Sequence, residues 1–177
     1  MEIVVPEEFQ MLYQVTRDRP VLKIPDPKLR LKAEEIDRIN KKTELLINDM
    51  MRILRRANGV GLAAPQLGIS QQVIVVAPDE MKPTAMINPI IIKSEGEQTG
   101  IEGCLSIPAL YGDVTRASYV EVEAFDRKGR RMVWELEGLP ARVVQHEIDH
   151  LHGVLFIDKV IKETLHWQDP DSTDAAE

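Results

Sequence analysis

The run Gln145-His146-Glu147-Ile148-Asp149-His150 decides how this chain is read. On a helix, His146 and His150 stand four residues apart and share one face, so their ring nitrogens can bind one cation while Glu147 projects beside them. That is the layout of a hydrolytic metal centre with its own proton carrier. Local signals agree with a helix: Leu139-Pro140 can start it, Val143, Val144 and Ile148 supply an apolar stripe, and Gly153 can stop it. A bare His-Glu-x-x-His match also arises by chance on solvated helices, so the surrounding chain has to decide between the two readings.

A hydrolytic metal needs three protein ligands and one position open to water. Downstream, Gly153 stands in register with the Gly-x-x-His continuation of one large peptidase class, but Phe156 occupies the ligand position and cannot bind a metal. Upstream, the single cysteine lies in Gly100-Ile101-Glu102-Gly103-Cys104-Leu105-Ser106-Ile107-Pro108. A thiolate is a strong, soft ligand; a lone cysteine without context is more often a small buried hydrophobe, but the two neighbouring glycines argue for a shaped backbone instead. Earlier still, Gly59-Val60-Gly61-Leu62-Ala63-Ala64-Pro65-Gln66-Leu67-Gly68 is built of small residues and one amide. Such a strip lets a ligand or another backbone approach closely, and a tight turn with packed alanines explains it as well. It lacks the lysine and the spaced glycines of a phosphate-binding loop.

Taken in order, these three segments resemble the motifs of the peptide deformylase family, Gly-x-Gly-Leu-Ala-Ala-x-Gln, Glu-Gly-Cys-Leu-Ser and the His-Glu-x-x-His run. The resemblance extends from about Tyr13 to about Ile161, through Leu22-Lys23-Ile24-Pro25-Asp26, Ile87-Asn88-Pro89 and Gly153-Val154-Leu155-Phe156-Ile157-Asp158. It implies that Cys104, His146 and His150 hold one Fe2+ per chain, a position that Ni2+, Co2+ or Zn2+ can also take. It implies that Glu147 is the general acid and base, and that Gln66 and the Leu105 backbone N–H stabilise the oxyanion. Val60, Gly61, Leu62, Glu102 and Val143 would line the groove for methionine, and Arg116 would support Glu102 from behind. The implied reaction removes the formyl group from the N-terminal formylmethionine of newly synthesised polypeptides and releases formate. One departure concerns Tyr111, which stands where many relatives carry an arginine and would give the groove an aromatic shelf.

The chemistry implied is self-consistent. One thiolate against a divalent cation leaves net positive charge, which lowers the pKa of bound water from about 16 toward neutrality. A thiolate beside ferrous iron also makes such a site oxidation-sensitive. Two rivals use the same residues differently. An endopeptidase would cleave internal amides, and the absent downstream ligand counts against it. A noncatalytic metal or thiol sensor would need neither Glu147 nor Gln66.

Composition bounds the rest. The chain has 177 residues, 44% of them hydrophobic, enough for one domain over 1–177 that buries roughly 70% of its unfolded surface. A single cysteine excludes an internal disulfide, and no apolar run approaches the ~20 residues of a membrane span, so a cytoplasmic location is expected. Twenty-nine acidic against 22 basic residues argue against a direct nucleic-acid site. Transient ribosome contact is expected from the activity, yet the acidic closing segment offers no basic helix for it.

The apolar spacing of Ile36, Ile39, Leu46, Met50, Ile53 and Ala57 predicts a long helix from Ile36 to Ala57. Strands are predicted at Gln72 to Ala77, Met86 to Lys93, Tyr119 to Phe125 and Arg131 to Leu136, the last two joined as a hairpin. The expected class is α+β, with antiparallel sheets packed around a central metal-binding helix. The folded core is expected at about 13–161, the segment from Asp158 to Trp167 as a short helix with His166 merely on its surface. The first dozen residues and an acidic tail over 168–177 are expected to be disordered.

Overall fold

The computed structural model describes residues 1–170. Two helices, α1 (Lys41–Arg56) and α2 (Gly138–Leu151), accompany eight strands: β1 (Gly61–Ala63), β2 (Val73–Val76), β3 (Thr84–Glu95), β4 (Gln98–Cys104), β5 (Ile107–Arg116), β6 (Tyr119–Phe125), β7 (Arg131–Glu137) and β8 (His166–Trp167). The strands form a five-stranded sheet in the order β1-β2-β3-β6-β7 and a three-stranded sheet in the order β4-β5-β8, and neighbours in both are antiparallel. This is the expected α+β architecture, with the His-Glu-x-x-His helix at its centre. No helix among the described residues is long and apolar enough to cross a membrane.

Both faces of the larger sheet are covered where β2 runs, and this explains the unbroken apolar run Val73-Ile74-Val75-Val76. Ile74 and Val76 pack with Ala141, Val144 and Leu151 of α2, while Val73 and Val75 pack with Ile47, Met50 and Leu54 of α1. A strand buried on one face alternates apolar and polar residues; one buried on both does not. β6 shows the one-sided pattern, with Val120, Val122 and Ala124 buried and the residues between them less so.

Helix α1 begins five residues later than its apolar spacing suggests. Asn40 caps it by accepting from the backbone N–H of Lys42 (2.8 Å) and Thr43 (3.4 Å), and the Thr43 hydroxyl accepts from the Asn40 N–H. Ile36 is held outside the helix because both its backbone groups are bonded to the Asn88 side-chain amide, at 2.8 and 2.9 Å. Its side chain still packs on the α1 core, so the periodicity ran past the true helix end.

The β4–β5 hairpin was not visible as strands, because Gly100, Gly103, Gly112 and Pro108 obscure its pattern. Its register pairs Glu102 with Gly112 and Cys104 with Ile107, with an irregularity between the two pairs. The segment from Asp158 is not the expected helix. It makes a short 3-10 turn at Lys162–Thr164 and then becomes β8, pairing Trp167 with Leu110 and His166 with Tyr111. The opening residues are also engaged: Glu7–Tyr13 forms a 3-10 helix, the Phe9 ring stacks on Trp167 and the Tyr13 hydroxyl donates to Pro108 O. Of the acidic tail, Gln168 continues the pairing by donating to Ala109 O at 2.9 Å, and residues 171–177 lie outside the described residues.

The cap and the core of α1 should be separable by mutation. Asn40→Ala should cost about 1 kcal/mol of stability through loss of the cap. Ile47→Ala, at a fully buried site, should cost about 2–5 kcal/mol. Urea melts check both values, and equal losses would contradict a packing-dominated α1.

Candidate metal centre

The fold brings Cys104, at the end of β4, against His146 and His150 on α2. One ligand atom from each lies within 4.8 Å of the others, and Cys104 Sγ is 3.3 Å from His150 Nε2. A sulfur and two imidazole nitrogens converging on one point form a donor set that suits Zn2+, Fe2+, Co2+ or Ni2+. The histidines are almost fully buried, which limits the solvent that can reach their rings.

Each ligand is held by a neighbour. His146 Nδ1 donates to Glu102 Oε2 at 2.9 Å, which turns Nε2 toward the sulfur, the orientation that supporting carboxylates impose on metal-binding histidines. Burial by itself would raise the Glu102 carboxyl, but hydrogen bonds from Arg116 and His146 outweigh it and hold the group at about 2. Glu102 therefore stays anionic and can only accept. Arg116 grips it through Nε (2.5 Å) and Nη2 (2.9 Å), and Arg142 adds a third donor at 2.8 Å. Arg116 in turn donates to Asp149 (2.8 Å), which Lys159 also meets at 2.8 Å.

The charges around the ligands favour a cation. Burial pushes His146 down, but its hydrogen bonds to Cys104 and Glu102 and the charge of Glu147 more than reverse this and raise it. His150 moves the other way, lowered by burial first and then by the His146 and Arg116 charges, which keeps it neutral and able to ligate. The Cys104 sulfur receives the Ser106 N–H at 3.4 Å and the Gln66 amide at 3.6 Å.

Glu147 sits beside this triangle at only 4% exposure, and its Oε2 is a buried oxygen without a hydrogen-bond partner among the described residues. Burial pushes its carboxyl up to about 7, against the opposing charges of His146 and Arg116. A carboxyl pushed toward neutrality, with one buried oxygen left without a hydrogen-bond partner among the described residues, suits proton transfer. Gly61 of β1 is required by this arrangement, because a Cβ there would collide with the Glu147 carboxylate.

Gln66 is oriented from both ends of its amide. Oε1 accepts from Ala63 N–H (2.9 Å) and Nε2 donates to Ser106 Oγ (3.1 Å), so the amide is fixed before any ligand arrives. A cavity of about 420 Å³ opens over these groups, walled by Val60, Gly61, Gln66, Glu102, Leu105, Val143, His146 and Glu147. Leu62, placed in the groove by its motif, is instead wholly buried in the α1-side core and its side chain is not part of this wall. Arg116 likewise stays behind the wall, acting on Glu102.

Three participants were missed. Arg142 lies one helical turn before His146 on the same face, a spacing that could have identified it. Ser106 and Asp149 stand inside the quoted motifs, but their contacts depend on how β4, β5 and α2 meet. Tyr111 lines the cavity mouth with its ring against Gly103, where an added Cβ would lie 2.6 Å from a ring carbon, and it stacks on His166 at 6.1 Å. His166 therefore backs Tyr111 without lining the cavity itself.

Comparison with known proteins agrees with this geometry. Residues 18–166 match the family model of polypeptide deformylase. The chain is 49% identical over 143 residues to peptide deformylase 1 of Bacillus anthracis, an alignment spanning 80% of this chain and 92% of that protein. Among solved structures it resembles the peptide deformylase of Thermus thermophilus (TM-score 0.78, 44% identity, 81% of this chain and 86% of that one). It also resembles that of Synechococcus elongatus in complex with actinonin (TM-score 0.78, 39% identity, 84% of each chain). A family match over most of the chain, near-half identity and a shared fold together establish that this chain belongs to the polypeptide deformylase family.

Proposed function

We propose that this peptide deformylase removes the formyl group from N-formylmethionyl peptides with Glu147 as the proton carrier, Gln66 and the Leu105 N–H as oxyanion donors, and Cys104, His146 and His150 as ligands of one ferrous ion. The observation that carries the assignment is Glu147: a buried carboxyl with an unbonded oxygen, next to a Cys-His-His cluster on the floor of a cavity. A divalent cation in that cluster would supply the charge that acidifies water toward neutrality and polarises a carbonyl. Iron is the reading favoured by the motif set, and nickel, cobalt or zinc fit the same donors.

Glu147 takes a proton from the water that adds to the formyl carbon. Negative charge then grows on the formyl oxygen, where the Gln66 amide and the Leu105 N–H meet it. Because Ala63 and Ser106 hold the Gln66 amide in place, only its second Nε2–H, which rests on the Cys104 sulfur at 3.6 Å, has to turn to the growing charge. Glu147 passes its proton to the methionine nitrogen, the C–N bond breaks, and formate and a free amino terminus leave. The methionine side chain rests between Val60, Gly61 and Val143, where a flexible thioether packs well.

The chain acts as one catalytic unit over 1–177 with its core at about 13–161. It works in the cytoplasm on chains that have recently left the ribosome, through transient contact and without a dedicated nucleic-acid site. The excess of acidic residues supports the last point.

Protein purified without oxygen should contain one iron per chain and release formate rapidly from formyl-Met-Ala-Ser, and its nickel-loaded form should keep that activity in air. Glu147→Gln should lower turnover by about 100-fold or more while metal content is unchanged; full activity in this variant would remove Glu147 from the reaction. Glu102→Gln removes the buried negative charge that Arg116, Arg142 and His146 share, leaving Arg116 with Asp149 as its one anionic partner and Arg142 with backbone carbonyls only. It should cost about 3–5 kcal/mol of stability and weaken metal binding about 10- to 100-fold, checked by melting and by chelator competition. Tyr111→Ala should change kcat/KM among peptides differing just after formylmethionine and leave the order of metals unaltered; an unchanged peptide series would eliminate the shelf.

A further inference from the structure

A second cavity, of about 390 Å³, adjoins the first and shares Ala57, Leu105, Pro108 and Pro170 with it. Its wall carries Arg17, Arg19, Lys23, Arg52 and Arg56, and Asp18 is the only carboxylate among its described lining residues. In a chain of formal net charge −7, this is a concentrated positive site. It belongs to two rigid pieces. Arg52 and Arg56 are one turn apart on α1, and Arg17 and Arg19 sit on a tight turn closed by paired backbone bonds between Thr16 and Arg19 at 3.1 Å each.

Lys23 lies at the inner edge, where its ammonium donates to Val21 O at 2.9 Å. Burial lowers it to about 8, the Cys104 charge opposes this, and Arg19 adds to the lowering. A carboxylate entering the cavity would relieve that repulsion.

We propose that this basic cavity is a specificity subsite of the deformylase groove and binds the side-chain carboxylate of Asp or Glu shortly downstream of formylmethionine. The proposal rests on the reading of the first cavity as the formylmethionine site. An extended peptide advances about 3.3 Å per residue, so its second to fourth residues have the reach to pass from that cavity over the shared Leu105–Pro108 rim into this one. The four arginines are exposed, Arg52 already meets Asp49 at 3.0 Å, and only Lys23 is partly buried, so the cavity fits one or two carboxylates held at its edge. Nucleic acid would need a row of phosphate contacts over a broader face, and the excess acidic charge of the chain opposes it.

The test is kcat/KM for formyl-Met peptides carrying Glu, Gln or Lys at the second, third or fourth position, with wild type and Arg19→Gln/Arg56→Gln. Both arginines are exposed, so the variant should fold. The neutral Gln peptides read the catalytic assignment separately: no turnover of any formyl peptide by metal-loaded enzyme would topple that reading, whereas turnover of Gln peptides keeps it. The subsite predicts a Glu preference over Gln of about 3- to 10-fold at one position, shrinking in 0.5 M salt. In the variant the ratio should approach one, with Gln-peptide rates within about twofold of wild type. A Glu-to-Gln ratio of one at all three positions, or a preference that survives in the variant, overturns the subsite. So does a ratio of one together with arginine-dependent retention of a ribosomal RNA fragment, which would assign the charge to a polyanion.

Discussion

Everything at the centre depends on one buried carboxylate, that of Glu102. It accepts from Arg116, Arg142 and His146, and so joins β4, β5 and α2 at a single point. An anion in such a place would be ruinous without partners, and two guanidinium groups and an imidazole satisfy it. The same bonds aim His146 at the Cys104 sulfur. Removing water from the site, orienting a ligand and tying the smaller sheet to the helix are therefore one arrangement.

The opposite wall works by absence of side chain. β1 lies at the edge of the larger sheet, and Gly61 leaves room there for Glu147, whose carboxyl is consequently buried and pushed up to about 7. Two glutamates on one cavity thus take opposite characters: Glu102, gripped by cations, is held as an anion, and Glu147, with an unbonded oxygen, is raised toward neutrality. Environment separates them, since the side chains are chemically identical.

The rim of the groove is drawn from distant parts of the chain. Tyr111 and His166 meet because β8 pairs with β5, and the N-terminal turn reaches the cavity beside α1 because Tyr13 and Phe9 anchor the opening segment to Pro108 and Trp167. On the proposed reading, Tyr111 and the arginines would set selectivity for peptide residues beyond formylmethionine without disturbing the metal ligands.

Sequence by itself determined the elements whose signals are local. His146, Glu147 and His150 are legible as one helical face, and β6–β7 as alternating strands joined by Asp126-Arg127-Lys128-Gly129-Arg130, because four-residue and two-residue periods need no knowledge of the rest of the chain. Motif resemblance supplied Cys104 and Gln66, which no local rule would have joined to the helix. Tertiary structure decided what depends on long-range partners. Asn88 pulled Ile36 out of α1, β5 drew the final segment into a strand, and the Leu62 side chain went into the core behind the groove. Arg142 and Asp149 acquired their roles only when β4 and β5 met α2. Periodicity records which face of an element is apolar; which buried polar group that face will satisfy is set by the element packed against it.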